Sequence, residues 1–101
     1  MRIRWTTRAA EQLLASVDYL ETEREGSGLA LHDAVRRTID VVLDHPRVFP
    51  AIPDAPGGEA RRALIRPWQY WLIFEVRELD ATIVVLALWN ARRRPEGWRD
   101  E

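Results

Sequence analysis

The stretch YWLIFEV, Tyr70 to Val76, is followed across a five-residue break by TIVVLALW, Thr82 to Trp89. Both runs are dominated by β-branched, aromatic and aliphatic residues, the composition of strands. The break, Arg77-Glu78-Leu79-Asp80-Ala81, is polar and reads as a hairpin connection. In the first strand Tyr70, Leu72, Phe74 and Val76 share one face, but Trp71 and Ile73 on the other face are apolar too. In the second, strict alternation sets Val84, Leu86 and Leu88 against Ile83, Val85, Ala87 and Trp89. A sheet covered by helices on one face alone alternates more cleanly. Both faces of this hairpin are therefore expected to be covered. The second cover is either the chain's own loop or C-terminal segment, or a partner chain, and the residues leave both open.

Upstream, RALIR (Arg62 to Arg66) is a third strand, and Pro67 ends it or holds it at an edge. Before it, PRVFPAIPDAPGGEA (Pro46 to Ala60) holds four prolines and two glycines, a loop pinned to the core by Phe49 and Ile52, with Gly57-Gly58 as a turn. Two amphipathic helices precede the loop. Ala9, Leu13, Ser16, Val17 and Leu20 make one stripe, with Thr6 or Thr7 as N-cap. Leu31, Ala34, Val35, Thr38, Ile39 and Val42 make the other, with Ser27 as cap and His45-Pro46 as stop. Gly26-Ser27-Gly28 separates them so briefly that they pack as an antiparallel hairpin. Glu21, Glu23 and Glu25 read as a solvated helix end. Arg2 to Trp5 (RIRW) opens the chain as a short strand. The order is β-α-α-β-β-β: an α+β fold, a helical hairpin on one face of a mostly antiparallel sheet, in a single domain over residues 1–101.

Composition narrows the chemistry. Cysteine is absent, which removes disulfides and thiolates. His32 and His45 form no ligand set with other residues, so neither a metal nor a cofactor is expected, and no nucleotide-binding loop is present. No apolar run reaches membrane-spanning length, so a cytoplasmic protein without a membrane partner is expected. All 15 basic residues are arginine and the net charge is −1. Residues 1–60 carry seven arginines against ten acids, and 61–101 carry eight against six, placing any anion-facing surface in the second half. That half holds Arg61, Arg62, Arg66, Trp68, Tyr70, Arg92, Arg93, Arg94 and Trp98. Such a set suits phosphate contact with base stacking, a protein interface, or solvated arginines whose stems shield tryptophan rings.

The opening RIRWTTRAAEQLLASVDYL, the helix end LDHP, then RALIRPWQYWLIFEV and IVVLALWNARRRPEGW follow one another in an order that resembles the RelE/ParE superfamily of bacterial type II toxins, over nearly the whole chain. The resemblance implies a cytoplasmic toxin of a toxin–antitoxin pair, in hetero-oligomeric complex with a cognate antitoxin that wraps it. Trp71, Ile73 and Trp89 are the residues it implies for antitoxin contact. In the ParE-like branch the target is DNA gyrase, bound rather than cleaved, with Arg92, Arg93, Arg94 and Trp98 as the target-facing end and no catalytic residue. In the RelE-like branch the toxin cuts mRNA on the ribosome without metal, and Arg62, Arg66, Tyr70 and Arg92 are the candidates. Relatives often carry histidine where this chain has Trp89, and an indole cannot carry a proton. That departure and the net acidity favour the ParE-like branch. A toxin fold that has lost its toxicity is the third expectation.

Overall fold

The computed structural model describes residues 1–53 and 59–100. The element order is β1 (Arg2–Trp5), α1 (Thr7–Glu23), α2 (Ser27–Asp44), β2 (Ala60–Ile65), β3 (Tyr70–Arg77) and β4 (Thr82–Asn90), with short 3-10 turns at Pro46–Val48 and Gly97–Arg99. This is the anticipated α+β order. Gly57-Gly58, expected as a turn, lies outside the described residues. The strand order is β1-β4-β3-β2, and β1 lies parallel to β4 while the other pairs are antiparallel, so the sheet is mixed.

Local chemistry sets the helix ends. Thr6 caps α1, its Oγ1 accepting the Ala9 N–H at 3.0 Å. The expected cap of α2 moves by one residue: Gly26, at φ +90°, is the N-cap, and Ser27 is the first helical residue. The left-handed conformation there is one glycine adopts without penalty. The orphan N–H groups are satisfied from the preceding helix. Glu21 Oε2 accepts from Gly26 N at 2.9 Å and Oε1 from Gly28 N at 3.0 Å. Glu21 thus does more than solvate a helix end, placing negative charge where the α2 dipole is positive. A Cβ on Gly28 would lie 2.6 Å from the Val17 carbonyl oxygen, so glycine lets the hairpin helices touch.

The main core lies between the helices and one face of the sheet: Leu31, Val35 and Val42 against Ala63, Ile65, Leu72, Phe74, Ile83, Val85 and Leu88. Phe49 packs edge-on against Phe74 at 5.9 Å, pinning the loop as expected. Strand β2 begins at Ala60, two residues earlier than expected, where Ala51 and Arg61 form an antiparallel bridge.

The strict alternation anticipated for 82–89 fails at one residue. Phe74 pairs with Val85 and Ile73 with Ala87, leaving Leu86 as a β-bulge. Ile83 and Val85 face the helices before it, and Leu88 does after it. Leu86, Ala87 and Trp89 are on the opposite face. Ala87 and Trp89 do not share a side with Ile83 and Val85; the bulge reverses the phase of the strand.

Candidate functional site at the outer sheet face and C-terminal end

The bulge gives the sheet a second apolar cluster, made of Ala60, Ile73, Ala87, Trp89 and Trp98, with Ile52, Trp71 and Leu86 packed on it. Trp71 stands directly opposite Trp89 in the register. The cover is the chain itself. Of the two covers left open by the residues, the C-terminal segment and Ile52 of the loop are the ones found. Ile73 and Trp89 are each 2% exposed, so they are not a bare strip awaiting a partner; Trp71 stays half-buried.

The segment after β4 is tied down at several points. Ala91 N donates to the Gln69 carbonyl at 2.8 Å, and Arg92 N to Asn90 Oδ1 at 2.8 Å. Trp89 Nε1 donates to the Arg94 carbonyl at 3.0 Å. A Cβ on Gly97 would lie 2.5 Å from Trp89 Cζ2, so the return of the chain over the indole demands glycine. From α1, the Arg8 guanidinium donates to the Trp98 carbonyl, and Arg99 Nη2 donates to the Pro53 carbonyl at 3.0 Å.

The arginines of NARRRPEGW do not form one grip. Arg93 lies over the Trp89 ring at 3.9 Å, Arg94 pairs with Asp100, and Arg92 is exposed. Trp98, expected on the target-facing end, is 6% exposed and points inward as the post on which the segment rests. The exposed residues at this end are therefore Arg92, Arg93 and Arg94, together with Pro95, Glu96 and Asp100.

The four residues of the cleavage reading are not brought together. Arg62 pairs with Ile73 and lies on the outer face, 4.2 Å over the Trp71 ring. Tyr70 belongs to the helix-side core at 7% exposure, on the other side of the sheet. Arg66 is exposed in the turn before β3, and Arg92 lies beyond β4. Period-two alternation forces Arg62 and Tyr70 apart.

Reading the sequence by halves missed Arg2, Arg4 and Arg8. Parallel pairing with β4 carries Arg2 opposite Thr82 and Arg4 opposite Val84. A cleft of about 410 Å³ gathers Arg2, Arg4 and Arg77 with Asp80 and Thr82. Glu75 accepts from Arg77 Nε at 2.5 Å and pushes the pKa of that guanidinium upward. The exposed positions of Arg2 and Arg4 in RIRW were the available signal. Among the described residues no group of His, Cys, Asp and Glu could hold a metal ion, and no helix is long and apolar enough to cross a membrane.

Comparison with known proteins bears on this arrangement. The family model of the ParE toxin of type II toxin–antitoxin systems, parDE, matches residues 3–95. Seven chains of solved structures match. One, from the chromosomal ParDE TA system of P. aeruginosa, superposes with a TM-score of 0.74 at 19% identity, over 91% of this chain and 97% of that one. At that identity the likeness is one of fold. No curated protein sequence matches.

Proposed function

The chain belongs to the ParE toxin family of type II toxin–antitoxin systems, and on that premise we propose that it inhibits DNA gyrase by protein–protein binding and is neutralised by a cognate antitoxin. One observation carries the reading: at the end of β4, where relatives often carry histidine, this chain has a buried indole. Trp89 is buried, and its single N–H is engaged by the Arg94 carbonyl. Tyr70 lies across the sheet from Arg62. General acid–base catalysis needs a titrating group within hydrogen-bond reach of the reacting atom, and an indole supplies none; what this segment exposes beside Glu96 and Asp100 is a run of guanidiniums. Such groups grip carboxylates and fix orientation.

In this reading Arg92, Arg93 and Arg94 contact gyrase in the cytoplasm. Trp98 and Gly97 set the path of the segment that presents them. The purified protein is expected to block gyrase supercoiling or to accumulate cleavage complexes. Unaltered supercoiling in excess protein, together with mRNA cuts at the ribosomal A site that Arg92→Ala abolishes, would replace this reading with the nuclease one.

A further inference from the structure

We infer that a polar cleft between α1 and the end of β4 binds a mononucleotide whose base carries an amino group beside a ring nitrogen, as adenine does. The cleft encloses about 350 Å³, and Gln12, Ser16, Tyr19, Tyr70, Asn90 and Arg93 are among its lining residues. Gln12, Ser16 and Tyr19 stand at i, i+4 and i+7 on α1, so they share one flank of the helix. Tyr70 and Asn90 are cross-strand partners at the facing end of the sheet.

The cleft exists because β1 stops short. Its pairing with β4 ends at Trp5 and Val85, and Thr6 closes it with bonds to the Val85 and Leu86 carbonyls. Past that point no strand among the described residues covers this edge of β4. Gln12 reaches in from α1 instead, its Oε1 accepting the Leu88 N–H at 2.9 Å. Residues two apart on a strand turn their backbone groups to the same side. Leu88 C=O and Asn90 N–H therefore face this edge too, an acceptor followed by a donor. The Watson–Crick edge of adenine is the complement, an amino donor next to a ring-nitrogen acceptor.

The side chains around that edge are mainly donors. Gln12 Oε1 is turned to Leu88 N, and Asn90 Oδ1 accepts from Arg92 N at 2.8 Å. With both carboxamide oxygens turned to the backbone, the NH2 groups are what these residues offer a ligand. Arg93 adds a permanent positive charge, and no acidic side chain among the described residues lines the cleft. An oxyanion such as a phosphate suits that set. Tyr19 is 60% exposed, and its hydroxyl donates to Glu23, which does not line the cleft, at 3.2 Å. Its ring is left as a face on which a base can stack.

This inference goes beyond the gyrase reading, and its test contains no gyrase. AMP, GMP and inorganic phosphate are titrated separately into the full chain, with calorimetry for affinity and amide NMR shifts for location. AMP is expected to bind and to shift the Asn90 backbone N–H and the Gln12 side-chain NH2. GMP, whose edge presents the opposite order of donor and acceptor, is expected to bind about tenfold more weakly or less. Tyr19→Ala, at an exposed position of α1, is expected to keep its helix content and to weaken AMP binding about tenfold by removing the stacking face. Absence of AMP binding at millimolar concentration, equal affinity for GMP or for phosphate alone, an unchanged affinity for folded Tyr19→Ala, or shifts centred on Arg2 and Arg4 would each overturn the inference. Tighter binding of an oligoadenylate than of AMP would overturn it as well, because the ligand would then be a nucleic acid.

Discussion

The two faces of the sheet are both apolar, yet they are closed by different means. On the inner face, two long helices lay continuous aliphatic stripes over Leu72, Phe74, Ile83 and Val85. On the outer face, a ten-residue segment reaches back over Trp89 and is held by one tryptophan, one glycine and a few hydrogen bonds. Area-driven burial tolerates small errors by repacking, whereas a cover made of point contacts depends on each one. The inner face should therefore set global stability, and the outer face should set local opening at the end that presents the arginines.

Four substitutions sharpen or break that contrast. Phe74→Ala empties the centre of the inner face, where the ring is fully buried against Phe49. It should cost about 3–5 kcal/mol in denaturant unfolding, and a cost near that of a surface change would end the distinction. Next is Gly97→Ala, whose new methyl would meet the Trp89 ring. Overpacking of this kind costs about 1–3 kcal/mol. The loss should appear as faster amide exchange in residues 91–100 and higher fluorescence accessibility of Trp89 and Trp98, with the helix amides unchanged. Glu21→Ala removes the carboxylate that serves Gly26 and Gly28. About 1–2 kcal/mol is expected, with exchange rising first at the start of α2. The smallest stability effect belongs to Arg92→Ala, within about 0.5 kcal/mol, because the side chain is exposed. In the gyrase reading it still weakens inhibition, so a variant of normal stability and lowered potency separates presentation from folding.

Much of the frame was legible beforehand because its causes are local. The 3.6-residue stripe of Ala9, Leu13, Val17 and Leu20, the Thr6 cap and the His45-Pro46 stop follow from residues within a turn or two of one another. The constellation around NARRRPEGW was legible as composition, but the separate fates of Arg92, Arg93 and Arg94 were not. Each depends on a partner placed by the fold: the Trp89 ring, Asp100, or solvent. Trp98 resembled a contact residue because an aromatic beside arginines suits an interface as well as a core. Its burial is decided by Gly97 and Arg8, the latter 90 positions away in the chain.

The sequence by itself determined the element order, the helical hairpin and the presence of two apolar sheet faces, since periodicity and turn chemistry act over a few residues. Only the tertiary structure decided the rest. In IVVLALW every position is apolar, so a bulge at Leu86 changes no detectable pattern, yet it turns Trp89 outward. Parallel pairing of β1 with β4 joins residues about 80 positions apart and brings Arg2 and Arg4 beside Arg77. Whether an apolar face is filled by the chain's own end or left for a partner depends on such long-range contacts, and no local rule carries them.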